Sequence, residues 1–326
     1  MGLWQVDADT LAGSRFVVSA SAEAVASLMS LEKGTATHPG ERAWLDAHRP
    51  AYRKLLAGDP VTAALIRAAL GRSWTAGFLT PTPPGDGDRA FGEELERIRA
   101  TPAEDARAHI EVSSGGPLPA QLRRSDLPER AANLLDWVWT QTVLPDWPRR
   151  RRIIEADIVA RTGQLSQGGW GAVLDGMRPG MRRLGESHLQ ISTPDHPPRE
   201  LSGTQLLFVP VTPRHGWVSW DGTRRCAAVY PCSDVLAEAD RVPVPEALGR
   251  LLGTARAGVL VLLGTPSSTT QLVALTGQGL GSVGRHLKVL HDARLIGRRR
   301  AGRSVLYYRT AAGELLVQAQ TDSGQP

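Results

Sequence analysis

Apolar residues recur at helical spacing over the first 160 positions. Between Pro128 and Leu144, for example, Leu134, Leu135 and Val138 lie close to a 3.6-residue repeat, which predicts an amphipathic helix. The same pattern predicts further helices at Ala22–Leu31, Glu41–Ala57, Val61–Leu70, Phe91–Arg99, Ala103–Glu111 and Arg149–Arg161. Loops rich in Pro and Gly, at 80–88 and 113–119, separate several of these segments.

Beyond Ser187 the pattern changes to short β-type runs bounded by Pro, Gly or Asp. Strands are predicted there at His188–Ser192, Gln205–Val211, Trp217–Trp220 and Arg225–Tyr230. A further strand is predicted near the N-terminus, at Arg15–Ser19. The chain is therefore predicted to be α+β and mostly helical. Residues 1–240 are expected to form a helical domain with a small β-sheet.

A Leu-rich helical segment of different character begins near residue 241. Ser267 or Ser268 can cap the third of its helices, because a hydroxyl accepts an orphan backbone N–H there. In the fourth, Val283, Leu287 and Leu290 form an apolar stripe. The four predicted helices are Pro245–Leu252, Ala255–Leu263, Thr269–Leu275 and Leu280–Ala293.

A basic β-hairpin is predicted to follow the last of these helices. Arg298-Arg299-Arg300 precede a turn at Ala301-Gly302-Arg303, and the β-type run Ser304–Arg309 comes after it. Two helices joined by a short Gly-containing turn, with a basic hairpin beside them, are typical of a winged helix-turn-helix. Residues 241–326 are predicted to form such a DNA-binding domain.

The charge distribution agrees with this assignment. Residues 241–326 contain 11 Lys/Arg and 4 Asp/Glu, a net charge of +7. The other 240 residues contain 27 basic and 29 acidic side chains, a net charge of −2. A positive charge concentrated at one end of a chain is typical of a nucleic-acid-binding module.

Several motifs resemble the winged helix of ArsR/SmtB-type bacterial transcription regulators. They are Val283-Gly284-Arg285-His286-Leu287, Ala293-Arg294-Leu295-Ile296 and Arg300-Ala301-Gly302-Arg303-Ser304-Val305-Leu306-Tyr307. The longer chain is similar to actinobacterial members with an extra N-terminal domain of unknown function. The resemblance implies a homodimer that binds a palindromic operator in double-stranded DNA, as a repressor. It also implies dimerisation through Val244–Leu263 and Gly313–Gln320.

By this resemblance, the recognition helix and the wing supply most of the DNA contacts. Arginines of the wing are expected at phosphates, while Ser282, Arg285 and Lys288 approach base edges. The predicted DNA-binding residues are Thr269, Thr270, Gln271, Ser282, Arg285, His286, Lys288, Arg298, Arg299, Arg300, Arg303 and Tyr307.

The recognition helix departs from the family pattern at its start. Gly284 stands where the family has a serine, and four glycines lie between positions 277 and 284. Each lowers helix propensity by up to about 1 kcal/mol relative to alanine. The alternative is therefore a protein that does not bind DNA and uses the winged helix for dimerisation or for docking another protein.

Other functions have little support in the sequence. The chain lacks G-x-S-x-G, P-loop and H-E-x-x-H motifs, so neither an enzyme nor a cofactor is expected. Thr269–Leu275 has no Cys or His and Glu314–Gln320 has no His, so metal sensing is not expected either. A third class, an enzyme that modifies a small molecule, would carry a cofactor.

The N-terminal domain is expected to sense a signal, such as a small-molecule effector, or to enlarge the dimer interface. Six of its tryptophans either fill its core, which is the more common role, or line an apolar pocket: Trp137, Trp139, Trp147, Trp170, Trp217 and Trp220. Only two cysteines occur, and neither a long apolar stretch nor an apolar N-terminal leader is found. A cytoplasmic protein without membrane contact is expected.

Overall fold

The structure, a computed structural model, describes residues 2–36, 39–71, 73–85, 90–175, 177–178, 180–185, 187–192, 198–222, 224–232, 244–264, 266–276, 278–301 and 304–321. Within these ranges helices predominate and several small sheets occur, which confirms the predicted α+β class. None of the helices there combines the length and the apolar character that crossing a lipid bilayer requires.

The chain forms two compact units. The first contains residues 1–150 and 170–232, and the second contains residues 151–169 and 233–326. The domain boundary predicted between residues 240 and 241 lies outside the described residues.

Except for the short first helix, which was not predicted, the helices of the first unit follow the predicted segments closely. Asp59, for example, caps the fourth helix by accepting a hydrogen bond from the backbone N–H of Thr62 at 3.1 Å, and Pro60 occupies the first helical position. The helices are α1 Ala8–Ala12, α2 Ala20–Lys33, α3 Pro39–Gly58, α4 Pro60–Ala69, α5 Phe91–Arg99, α6 Ala103–Ser114 and α7 Leu127–Val138.

Helix α2 is the centre of the first unit. Every residue from Ala20 to Leu31 is buried, and the helix packs against α3, α5, α7 and the strand Gln205–Val211. Its many alanines and serines let these neighbours approach from several sides. The strand predicted at Arg15–Ser19 is shorter than expected, because the Ser19 hydroxyl instead accepts the N–H of Ala22 and caps α2.

The described part of the first unit contains two four-stranded sheets, where the sequence predicts one small sheet. One has the order β3-β4-β1-β5, and the other the order β2-β6-β8-β7. Strands β6 and β8 pair in parallel and are almost fully buried, whereas β7 is antiparallel to β8. The strands are β1 Gly2–Gln5, β2 Arg15–Phe16, β3 Arg182–Leu184, β4 His188–Ser192, β5 Arg199–Glu200, β6 Gln205–Val211, β7 Val218–Asp221 and β8 Arg225–Pro231.

Most of the six tryptophans noted in the sequence fill the first unit's interior. Trp139 stacks on Phe91 with ring centroids 4.6 Å apart and meets Trp147 edge to face at 5.2 Å. Trp137 and Trp217 belong to the same apolar core, and Trp170 stacks on Phe208 at 5.3 Å. Trp220 is the exception among the six, since it lines a cavity.

Helix α8, Trp147–Leu174, is interrupted at Gly169, whose φ of 64° and ψ of −169° are not helical. Its residues 151–169 belong to the second unit. Helices and a three-stranded antiparallel sheet of order β10-β11-β9 make up the rest of that unit as described. These elements are α9 Glu246–Leu252, α10 Thr254–Leu262, β9 Ser267–Ser268, α11 Thr269–Thr276, α12 Leu280–Asp292, β10 Ile296–Ala301, β11 Ser304–Arg309 and α13 Ala311–Thr321.

The second unit has its own apolar core. Val283, Leu287 and Leu290 of α12 are at most 2% exposed, so the predicted stripe is confirmed. They pack with Leu260 of α10 and Leu272 of α11. Since one side of α12 is buried in this way, its opposite side faces solvent.

Candidate nucleic-acid interface

The solvent-facing side of α12 carries the cations that the sequence singles out. Arg285 and Lys288 are exposed, and Ser282 and His286 are partly exposed on the same helix. The Ser282 hydroxyl lies 3.2 Å from Oε1 of Gln278, to which it donates, and 3.4 Å from Nε2 of His286. Polar side chains one helical turn apart thus form a line along this face.

His286 lies in a positively charged environment. Burial lowers its pKa, and the nearby cations Arg256 and Arg285 lower it further. At neutral pH its imidazole is therefore uncharged, and it can exchange hydrogen bonds without adding positive charge. Arg256, from α10, is a neighbour of this face that the sequence interpretation missed, because it lies 30 positions before His286.

Gln271 serves the fold of α11 directly. The Ser268 hydroxyl accepts the Gln271 N–H at 3.3 Å, and Oε1 of Gln271 accepts the Ser268 N–H at 2.8 Å. This reciprocal pair is a capping box, and it confirms Ser268 as the cap. The side-chain oxygen of Gln271 is thus occupied within the protein. Thr269 is partly exposed beside it, and the side chain of Thr270 lies outside the described residues.

The basic hairpin follows α12 directly and packs against it. In the register of β10 and β11, Arg298 lies opposite Tyr307 and Arg300 opposite Val305 on one face of the hairpin. Arg299 lies opposite Leu306 on the other face. All three arginines are exposed. The hairpin therefore presents positive charge on both of its faces. Arg303, at the predicted turn, lies outside the described residues.

The two tyrosines of β11 have different surroundings. Tyr307, the predicted DNA-binding residue, packs against the apolar core of the second unit. Tyr308 is 37% exposed and lies across Gly297, where an added Cβ would come within 2.6 Å of its ring. Neighbouring residues of a strand lie on opposite faces of the sheet. The sequence alone therefore does not show which of Tyr307 and Tyr308 faces the core.

The glycines at the start of α12 leave its surface open. Apart from the chain neighbours and the backbone of the helix itself, no heavy atom among the described residues lies within 4 Å of the position that a Cβ would take on Gly279, Gly281 or Gly284. Bare backbone at the start of this helix permits close approach by another molecule, such as a phosphate backbone.

The cysteines and the other residue types that bind metals are the candidates for a second site. Cys226 and Cys232 are buried and form no disulfide, and burial raises the pKa of the Cys226 thiol to about 12. In the part of the chain that the structure describes, no three His, Cys, Asp or Glu side chains gather to hold a metal ion.

Comparisons with known proteins found no matching family model, curated protein or solved structure.

Proposed function

We propose that the second unit is a winged helix-turn-helix and that the protein is a sequence-specific DNA-binding regulator, acting as a homodimeric repressor. One observation carries the proposal. Helix α12 buries one side in the unit's core and exposes Arg285 and Lys288 on the other, next to a hairpin with three exposed arginines. A duplex would meet a helix for its major groove and a cationic ribbon for its phosphates.

The two kinds of cation would have different tasks. Hairpin arginines are free to reach phosphates on either side of the groove, which supplies affinity without sequence preference. Arg285 extends from the helix itself, where a guanidinium can donate two parallel hydrogen bonds to a guanine. The uncharged His286 and the Ser282 hydroxyl would add hydrogen bonds that depend on the base.

Dimerisation is supported by two exposed leucines. Leu251 of α9 is 66% exposed and Leu315 of α13 is 67% exposed, and these two helices pack together. Both leucines lie in the segments that the family resemblance assigns to the dimer interface. Burying them against a second copy would remove apolar surface from water.

A double substitution with a charge-matched control tests the proposal. Arg285→Ala with Arg300→Ala should abolish specific binding to DNA from the protein's own promoter region. Arg53→Ala with Lys54→Ala removes the same net charge from exposed positions on α3 and should leave binding intact.

Three results would contradict the proposal. If the variant with both Arg285→Ala and Arg300→Ala kept its specific affinity, DNA would bind at another surface of the protein. Equal losses in both variants would mean that only net charge matters. A stable dimer that binds no duplex would favour the alternative, in which this unit serves dimerisation or protein docking.

A further inference from the structure

The first unit contains a cavity that the proposed DNA contact does not use. Its volume is about 560 Å³, within the range of roughly 300–1,000 Å³ that is usual for small-molecule sites. We call it the tryptophan cavity, after Trp4, Trp74 and Trp220, which line it. A second cavity of about 220 Å³ shares Trp4 and Trp220 with it and reaches Cys226.

The three tryptophans come from separate parts of the chain. Trp4 lies in β1 and is 1% exposed, Trp74 follows α4, and Trp220 lies in β7. The ring of Trp74 meets that of Trp220 edge to face, with centroids 5.7 Å apart and planes at 88°. Such walls favour a flat, apolar ligand surface, since aromatic rings pair well both edge to face and offset.

One cation accompanies these rings. The guanidinium carbon of Arg199 lies 3.8 Å from the centroid of the Trp220 ring. Among the described residues, no carboxylate lies within ion-pair distance of Arg199, and none of those that line the tryptophan cavity is Asp or Glu. A stacked guanidinium keeps its N–H groups available at its edge, and a planar carboxylate is the group that they fit best.

A histidine also lines the cavity. His109, on α6, stacks on Phe78 with planes 10° apart. Its Nδ1 has no hydrogen-bond partner among the described residues, but protein atoms enclose it, so a ligand in the cavity would not contact it.

We propose that the tryptophan cavity binds a planar aromatic acid, with the ring system against Trp74 and Trp220 and the carboxylate on Arg199. A sugar also stacks on tryptophan, but its hydroxyls need acceptors. No Asp, Glu, Asn or Gln is found among the described residues of the lining. Binding at this cavity does not depend on whether the second unit binds DNA.

Calorimetric titration of the full-length protein tests the site. The probes are indole-3-acetate, 2-naphthoate and 4-hydroxybenzoate, each paired with its neutral amide. At least one acid should bind saturably, one molecule per chain, and about tenfold more tightly than its amide, as expected for a charge-assisted hydrogen bond.

Variants locate the binding. Arg199→Gln should weaken the acid about tenfold and remove the preference over the amide. Val112→Trp, at a 62% exposed position of the lining, should block acid and amide alike without disturbing the core. Arg53→Gln, an equal change on α3, should alter neither affinity.

Either of two results would overturn the proposal. One is that none of the three acids binds saturably to the wild-type protein. The other is that binding persists unchanged in both the Arg199→Gln and the Val112→Trp variants, which would place the ligand elsewhere.

Discussion

At the scale of single residues, the run Arg149–Arg152 shows where sequence interpretation ends. The four arginines predict a solvated helix start. Arg150 instead is buried and donates to Glu23 at 2.7 Å and to the Ser27 hydroxyl at 3.0 Å, while its guanidinium lies 5.2 Å from the Trp44 ring centroid. Glu23 and Ser27 lie more than 120 positions earlier in the chain. No local pattern distinguishes the one buried arginine from its neighbours.

The adjacent Arg151 provides a matched control for Arg150. Arg150→Met should lower the free energy of unfolding by about 3 kcal/mol or more, because it leaves the Glu23 carboxylate buried without its cation. Arg151 makes an exposed ion pair with Glu155, so Arg151→Met should cost less than about 1 kcal/mol. Urea unfolding followed by tryptophan fluorescence measures both. Equal losses would contradict the special role of the buried pair.

His215 should make the stability of the first unit depend on pH. Burial and the nearby Lys33 lower its pKa to about 4, against a smaller opposing effect of Glu41. Between the unperturbed value of 6.5 and about 4, the unfolded chain binds a proton that the folded chain does not. Stability should therefore fall as the pH falls through this window.

Two measurements check this pH dependence. The His215 imidazole, followed by NMR, should titrate near 4, and His215→Gln should flatten the decline of the unfolding free energy below pH 6.5. A titration near 6.5 in the folded protein would be incompatible with the environment described for this side chain.

At the scale of elements, length and burial decide what the sequence could predict. Amphipathic helices such as Phe91–Arg99 and buried strands such as Gln205–Val211 match their predicted bounds, because a helical repeat defines the first and a continuous apolar run defines the second. Several elements of two to five residues were missed, namely β1, β3, β5, β9 and α1, although β4 was predicted with its exact bounds. Their strands are defined by pairing with distant partners, as Trp4 pairs with Arg199, and not by any pattern of their own.

Alanine substitutions should stabilise the protein at two glycines of α12 and destabilise it at Gly313 of α13. Gly281→Ala and Gly284→Ala meet open space, so each should stabilise α12 by about 0.5–1 kcal/mol. In Gly313→Ala the Cβ would stand 2.1 Å from the carbonyl oxygen of Leu295, so the second unit should lose stability. Hydrogen exchange of the 280–292 amides in the full chain should slow in the first two variants and quicken in the third. Slower exchange in the Gly313 variant would be contrary to this packing.

At the scale of the whole molecule, the sequence predicts where positive charge is concentrated but not which residues enclose a cavity. The basic end of the chain is visible in its composition, and the sequence predicts the exposed cations of α12 and β10. Arg256 was missed, and of the six tryptophans considered as pocket lining only Trp220 lines the tryptophan cavity, because its walls meet only through tertiary packing. Trp4 and Trp220, for instance, are 216 positions apart in the chain, and both line that cavity.

The two groups of cations should behave differently on DNA. Arg298→Ala should weaken binding to all duplexes alike and reduce the slope of log affinity against log salt by about 1. Arg285→Ala should mainly reduce the difference between the operator and unrelated DNA. Titrations at several salt concentrations separate the effects. Identical slopes and identical losses of specificity in the two variants would contradict the division of tasks between hairpin and helix.

Footprinting of the purified wild-type protein on DNA from its own promoter region tests the central claim most directly, namely that α12 and the basic hairpin form a face for duplex DNA. We predict a protected stretch with two related half-sites about one helical turn or a multiple of it apart, bound about a thousandfold more tightly than unrelated duplex. Absence of any protected stretch, with equal affinity for every duplex tried, would contradict it.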